Sequence, residues 1–575
     1  MIKGNGASGG IGIGHILLVK EQKVVFERHR VRDVEKELSK LRRAVEEFVC
    51  TTEALAQKLE DEAGAAEAAI LRGHILILKD PVLTGEIEKL IRSGECAEAA
   101  VEQICNMFIS VFSARSDELT QQRAADLEDL KIRLIRHLLG MGDVRLSALP
   151  PQTIIVAKEL TPSMTAAMDK KNVAGFITEQ GGETSHCAII ARACEIPAIL
   201  GAEGILRLVH NEQMAVMDGS TGEIILSPDE AVRNAFLEKK QQYDRRMELL
   251  KTYRGQPTLD ADGRQLSVLC NIGNVEDIDK AINGDGEGIG LFRTEFLYMD
   301  RKKSPSETEQ FEAYRAAALK MAGKPVVIRT LDIGSDKDVP YMELKEEDNP
   351  FLGQRAVRYC MMHPDILRQQ LRAILKASAF GDVRIMVPMI ADMTELRFVR
   401  KALEEAKQEL RESGETFNEE ILLGVMIETP SACLIADLLA KEADFFSIGT
   451  NDLIQYTMAA DRGNADVSYL YSVFKPSVLR AIRHVIRCAE AAGIPVELCG
   501  EAAANPLMTP VLLSFGLKLF SVSPSSVLTI RKEISQYTRG EADRITAAVM
   551  EMTDSDSIKD FLCKESSKSA YHNPV

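Results

Sequence analysis

Eight short apolar runs, each followed by a stretch of helical periodicity, recur along the second half of the chain, and few folds accommodate that pattern. They are SVLCNI (267–272), GIGLFRTEF (288–296), PVVIRTLDIG (325–334), VRIMVPMI (383–390), LLGVMIET (422–429), FFSIGTND (445–452), VELCGE (496–501) and LFSVS (519–523). A strand that reaches the next strand through a helix must run parallel to it, and eight such units in succession close into a (β/α)8 barrel. Residues 256–575 are therefore read as that barrel.

Upstream the texture differs. Between 21 and 145, segments such as DVEKELSKLRRAVEEFVCTTEALAQKLEDEAG and AADLEDLKIRLIRHLLGMG space apolar residues by three and four among charges, which predicts a bundle of about four helices. TIIVAKEL, VAGFITEQ and MAVMDGSTGEIILS read as strands, the last folding back on itself around Asp-Gly-Ser-Thr-Gly. After a flexible start, the run around 12–20 reads as one more strand of that sheet. Residues 1–20 and 146–228 then form one α/β domain with the helical bundle inserted into it, and the charged stretch 229–255 is a linker helix ending at Gly255.

Bulk properties narrow the class of partner. The net charge of −16 argues against nucleic acid. No apolar run approaches the ~18 residues of a membrane span, and the N-terminal stretch lacks the charged and apolar regions of a secretory signal. The 11 cysteines show no CxxC pairing, so neither a zinc site nor a disulfide framework is expected. A cytoplasmic enzyme without membrane insertion is the expectation.

In such barrels the site forms where the strands end at their C-termini. There stand Arg293 and Glu295, then Arg329, Asp332 and Lys337, then Glu428, Asn451 and Asp452, and finally Cys499 and Glu501. Any one of these charges alone reads as solvated surface; several cations and carboxylates on one rim read as a site. Guanidinium groups and a lysine suit a small anion bearing phosphate or carboxylate. Glu428 and Asp452 are hard oxygen donors suited to Mg2+ alongside substrate oxygens. Cys499 has two readings, an inert buried thiol or a proton donor, since a thiol of pKa ~8.5 is protonated at neutral pH.

A second focus is GGETSHCAIIAR, residues 181–192. Gly181, Gly182, Thr184 and Ser185 precede an apolar helix, so backbone N–H groups and the helix dipole favour an anion there. His186, at that point, is either a core histidine or an acceptor of a phosphoryl group.

Together these segments, with GIGLFRTEFLYMDR, VVIRTLDIGSDK, NPFLGQRAVR, MIETPSA, FFSIGTNDLIQYTMAADRGN and LCGE, resemble enzyme I of the phosphoenolpyruvate:sugar phosphotransferase system over essentially the whole chain. The resemblance implies a multidomain α/β protein: a swivelling phosphohistidine domain, an inserted helical domain that docks the phosphocarrier protein HPr, and a TIM-like barrel that binds phosphoenolpyruvate and forms a homodimer. It implies Glu428 and Asp452 as Mg2+ ligands. Arg293, Arg329 and Arg462 hold phosphate and carboxylate, assisted by Asn451, Arg355 and Lys337. His186 Nε2 is the nucleophile, supported by Thr165, Thr184 and Gly182. Cys499 protonates the enolate to give pyruvate, and the phosphoryl group passes to HPr.

The chain departs from the family in three places. Glu183 stands where the family often has arginine, Ser335 replaces the second glycine of Gly-Gly-Asp-Lys, and Ala503 replaces a glycine. A carboxylate three residues from the histidine disfavours the phosphorylated state or raises the imidazole pKa, unless it points outward. Two other readings remain open at this point: a regulatory enzyme I paralogue, and a half enzyme of the phosphoenolpyruvate synthase or dikinase kind that works with a separate nucleotide-binding subunit.

Overall fold

The computed structural model describes residues 2–19, 24–63, 65–113, 118–141, 149–182, 185–299, 301–337 and 339–572. The chain divides into two compact units, Met1–Glu248 and Leu249–Val575.

The first unit is built on an eight-stranded sheet. Its strands are β1 (Ile2–Lys3), β2 (Asn5–Ser8) and β3 (Ile11–Val19), then, after the helical insertion, β4 (Thr153–Ala157), β5 (Val173–Thr178), β6 (Ala198–Leu200), β7 (Met214–Asp218) and β8 (Glu223–Leu226). The order across the sheet is β1-β8-β7-β3-β4-β5-β6-β2. The expected flexible start is corrected, because residues 2–8 form two strands that pair antiparallel with β8 and β6 at opposite edges. Glycine and serine carry no strand propensity, so the partners rather than the local sequence decide there. Both faces of the sheet are covered. Phe176, Ile155 and Cys187 pack on one face, and Ile154, Ile177 and Met217 on the other. This explains why β4 is apolar without alternation.

Between β3 and β4 the described residues form five helices rather than about four: α1 (Val34–Ala63), α2 (Ala65–Leu78), α3 (Pro81–Arg92), α4 (Ala97–Ser113) and α5 (Glu118–Leu138). The break between α2 and α3 is made by Asp80, which caps α3 by accepting from Val82 N, with Pro81 at the first helical position. Two further helices, α6 (Pro162–Ala167) and α7 (His186–Ala193), lie on the sheet. Leu59 and Leu71 of the α1–α2 hairpin share a small core with Ala166 of α6 and Ile190 of α7. Lys58 Nζ donates to the carbonyl of Met168 at 2.8 Å, fixing the same seam. The helix α8 (Glu230–Thr252) follows, close to the expected linker.

The second unit contains a closed, all-parallel barrel of β9 (Ser267–Ile272), β10 (Ile289–Phe292), β11 (Val326–Arg329), β12 (Val383–Val387), β13 (Leu423–Ile427), β14 (Phe445–Gly449), β15 (Val496–Cys499) and β16 (Leu519–Val522). Each lies inside one of the eight apolar runs. The barrel closes where β16 pairs with β9. One large apolar core fills the space between strands and outer helices. A separate interior cluster of Leu291, Val327, Met386, Met426, Phe445 and Cys499 plugs the barrel itself. No helix among the described residues is long and apolar enough to cross a membrane.

Candidate active site

At the C-terminal mouth of the barrel lies a cavity of about 630 Å³. The nine barrel residues given a substrate, metal or proton-donor role from sequence all line it: Arg293, Arg329, Lys337, Arg355, Glu428, Asn451, Asp452, Arg462 and Cys499. Strand ends deliver most of them. Arg329 and Cys499 are the last residues of β11 and β15, and Glu428 follows β13 directly. Asn451 and Asp452 open the helix Thr450–Met458 immediately after β14. That corner is locked to β15, because Thr450 Oγ1 donates to the Cys499 carbonyl at 2.8 Å and Glu501 N donates to Asn451 Oδ1 at 3.3 Å.

The cations fall into two groups. Arg329 and Arg355 are buried, whereas Arg293, Lys337 and Arg462 are exposed at the opening. Arg329 Nη2 donates to Glu295 Oε1 at 3.0 Å and Nη1 lies 3.1 Å from Asp332 Oδ2. Arg355 Nη2 donates to Asp332 Oδ1 at 2.8 Å. Burial alone would lower the pKa of Arg329, but Glu295, Asp332, Glu428 and Asp452 more than reverse it, so the guanidinium stays charged. For Asp332 burial pulls upward, and Arg329 with Arg355 bring its carboxyl below the usual range. The ring of Phe351 lies 5.6 Å from the Arg355 guanidinium and 5.9 Å from that of Arg462, so one aromatic ring serves both. Two of the exposed cations are held more loosely, with Arg462 Nη1 3.4 Å from Asp452 Oδ1 and Lys337 Nζ 3.7 Å from Asp336 Oδ2.

Glu428 is held in place by backbone geometry. Met389 N donates to Glu428 Oε1 at 2.7 Å, from a residue at φ +60°. A Cβ on Gly449 would stand 2.7 Å from Glu428 Oε2, so glycine leaves the carboxyl its space. Ala356, next to Arg355, has φ +53° and ψ −129°, another strained conformation beside a site side chain. Burial raises the Glu428 pKa well above the carboxylate range, and the nearby Asp452 and Asp332 carboxylates raise it further.

Cys499 is buried, 3% exposed. Its Sγ donates to the Ile448 carbonyl at 3.4 Å and accepts from Ser447 Oγ at 3.7 Å. Burial first, then the Glu497 carboxyl, pushes the thiol up to about 12, so it is present as S–H at neutral pH.

Several residues of the site were not selected from sequence. Glu295 and Asp332 were noted only as rim charges, yet they fix both buried arginines. Tyr456, whose hydroxyl accepts from Arg355 Nη1 at 3.4 Å, lies inside the segment FFSIGTNDLIQYTMAADRGN but was not singled out, and Tyr471, which donates to the Asn451 carbonyl at 3.2 Å, comes from a segment without any motif. Glu497 did carry a signal, a lone acidic residue inside an apolar strand and two positions before Cys499.

The histidine segment belongs to the first unit. Ser185 caps α7, its hydroxyl accepting from Ala188 N at 3.4 Å. Of the glycine pair, Gly181 is the one the backbone requires, with φ +106°. Gly182 has open space where a Cβ would stand, so its small size leaves that side of the helix start uncovered. His186 is the first residue of α7, but its side chain is outside the description, and Glu183 and Thr184 lie outside the described residues. The buried Thr165 hydroxyl donates within α6, to Pro162 O at 2.9 Å and Thr161 O at 3.1 Å. Only its lone pairs remain for an imidazole N–H.

Three family descriptions match successive parts of the chain: PEP-utilising enzyme, N-terminal, over residues 3–123; PEP-utilising enzyme, mobile domain, over 149–222; and PEP-utilising enzyme, PEP-binding domain, over 247–539. A phosphoenolpyruvate-protein phosphotransferase of Priestia megaterium is 40% identical over 572 residues, covering 99% of each chain. One from Staphylococcus carnosus (strain TM300) is 41% identical over 570 residues, again 99% of each, and one from Geobacillus stearothermophilus is 41% identical over 562 residues, 98% of this chain and 97% of that one. With all three descriptions matched in order and these relatives aligned nearly end to end, the chain belongs to the phosphoenolpyruvate-protein phosphotransferase family.

Proposed function

We propose that the chain transfers the phosphoryl group of phosphoenolpyruvate to His186 and then to the phosphocarrier protein HPr, releasing pyruvate, as the first step of sugar uptake by the phosphotransferase system. The observation that carries this reading is the convergence on one cavity of two buried arginines, three exposed cations, the Glu428 and Asp452 carboxyl groups and a protonated thiol. Phosphoenolpyruvate is a small trianion, and forked guanidinium groups in a half-dry cavity hold its phosphate and carboxylate bidentately. Arg293, Lys337 and Arg462, exposed at the rim, close on the anion as it enters.

Glu428 and Asp452 would hold Mg2+, which neutralises phosphate charge when bound. The residues fit it: Glu428 is a buried hard-oxygen donor destabilised by its carboxylate neighbours, a condition a divalent cation relieves. No group of three or more ligating side chains stands together among the described residues. Mg2+ tolerates that, since it takes one or two carboxylates and completes its shell with phosphate oxygens and water.

His186 Nε2 attacks phosphorus in line; the N–P bond forms while the bond to the enol oxygen breaks. The cations lining the cavity balance the charge left on the enolate. Cys499 delivers its proton to C3, giving pyruvate, and the thiol suits the task because burial keeps it protonated. Thr165 accepts from the imidazole and Ser185 orders the helix start that carries it. A single imidazole serves both substrate and carrier, so the phosphohistidine domain swings between barrel and helical domain about the region 229–255. Docking of HPr on residues 21–145 and a homodimer through the barrel are carried over from the resemblance.

Intact-mass spectrometry after adding phosphoenolpyruvate and Mg2+, on the chain and on His186→Ala, tests this. The expected result is an acid-labile gain of one phosphoryl group, absent in the variant and discharged onto added HPr. No gain, or a gain that needs ATP, would overturn the reading.

A further inference from the structure

Directly beneath Cys499 the barrel interior holds a carboxyl group that the reaction above does not use. Glu497 lies two residues before Cys499 on β15, so both side chains point into the barrel. It is 2% exposed, and its Oε1 has no hydrogen-bond partner. Its Oε2 occupies space that exists because residue 290 is glycine: a Cβ there would stand 2.9 Å from Oε2. An ionised carboxylate in such a place would cost several kcal/mol of desolvation.

The groups facing it are few. Ser447, its register partner on β14, stands beside the carboxyl on the interior face of the barrel and lowers its pKa. Ser521 on β16 packs against the same face of Gly290, and its hydroxyl donates instead to Asn271 Oδ1 on β9 at 2.6 Å. Among charged and titratable groups, Arg384 on β12 lowers the carboxyl pKa, and Cys499 sits on its own strand. Burial outweighs the rest and raises the carboxyl to about 8. A neutral carboxylic acid therefore stands at one end of a chain whose next member, Ser447 Oγ, donates to Cys499 Sγ at 3.7 Å.

We propose that Glu497 and Ser447 are positioning residues that form an internal proton reservoir for Cys499, returning a proton to its sulfur once the thiol has protonated the enolate. This rests on the functional reading above. The Cys499 S–H bond breaks as the C3–H bond of pyruvate forms. The resulting thiolate takes the Ser447 hydroxyl proton, and Ser447 takes the proton of Glu497, leaving one carboxylate in the barrel. Transfer runs in that direction because a thiol raised to about 12 is the stronger base. After pyruvate leaves, water entering the cavity restores the proton by the same path in reverse.

The test is pyruvate formation by the full-length protein with HPr present in excess, followed from pH 6 to 9.5 for wild type, Glu497→Gln, Ser447→Ala and Ser447→Thr. The reservoir works only while Glu497 is protonated, so wild-type turnover should decline as pH rises through about 8. Glu497→Gln should lower kcat roughly tenfold, leave KM for phosphoenolpyruvate within about twofold, and abolish that alkaline decline. Ser447→Ala should reproduce both effects, and Ser447→Thr, which restores a hydroxyl, should recover most of the rate. A Glu497→Gln profile that superimposes on wild type, or a Ser447→Ala variant with normal kcat, would overturn the proposal. Phosphorylation of His186 is measured on the same samples by intact mass. If wild type takes no phosphoryl group, it is the functional reading that has failed; normal phosphorylation without the kinetic effects sinks the reservoir alone.

Discussion

Arg329 illustrates how much a single residue is asked to do at this site. It is 8% exposed, bound to Glu295 and Asp332 on one side and turned toward the cavity on the other. A lysine keeps the charge but loses the planar fork, so it cannot hold two carboxylates and still present donors to an anion. We expect Arg329→Lys to lower kcat/KM for phosphoenolpyruvate by roughly 100-fold, about 2.7 kcal/mol of transition-state stabilisation. Arg462→Lys, at an exposed position, should lose less than tenfold in the same steady-state assay. Residues like Arg329 were legible in the sequence because a charge that ends an apolar strand run has few structural reasons to be there. Glu295 and Asp332 look alike in sequence, and only the distances separate a substrate-facing group from one that braces it. Tyr471 lines the cavity, and Tyr456 and Phe351 brace its arginines, from loops and helices where no periodicity announces a side chain's direction.

At the scale of elements, the corner between β15 and the helix Thr450–Met458 depends on backbone shape. Gly500 sits at φ +97°, ψ −169°, a region essentially closed to residues with a Cβ. An added Cβ would also stand 2.4 Å from Thr450 Oγ1 and 2.9 Å from Asn451 Oδ1. Gly500→Ala should therefore displace the Thr450–Asp452 turn, costing on the order of 2–3 kcal/mol in denaturant unfolding and more than tenfold in activity. Gly493 is the control, since it caps the helix Pro476–Ala492 at φ +74° with nothing within 4 Å of a Cβ. Gly493→Ala should cost only about 1 kcal/mol, with activity unchanged. The eight barrel strands were legible because a strand buried on both faces is a continuous apolar run. Their ends were less so: GIGLFRTEF stops pairing at Phe292, and the tail that follows is the loop carrying Arg293 and Glu295. Residues 2–8 hid two strands, since asparagine, glycine and serine become extended there only because β6 and β8 offer them partners.

For the molecule as a whole, the decisive fact is that each unit has its own core. The barrel's apolar cluster is drawn entirely from residues 266–562, and those of the sheet and helical insertion from residues 7–236. The helix α8 crosses the boundary between the units, with Phe236 packed against Ile11 and Val216 of the first. From 237 to 249 every side chain is exposed or half-exposed, and Leu250 is the next buried one. A helix that buries so little along this stretch adds little cooperativity between the units. Scanning calorimetry should therefore resolve two transitions. Phosphoenolpyruvate at about 100 times its Kd, with Mg2+, stabilises whatever binds it by about 2.7 kcal/mol. That should raise the barrel transition by roughly 5 °C and leave the other in place. His186→Ala should preserve this shift, because the arginines and carboxyl groups that line the cavity all belong to the barrel. A single transition that moves as one would mean the two units unfold together, and the swing proposed for the His186 domain would then have to break a coupled structure rather than bend a weakly buried helix.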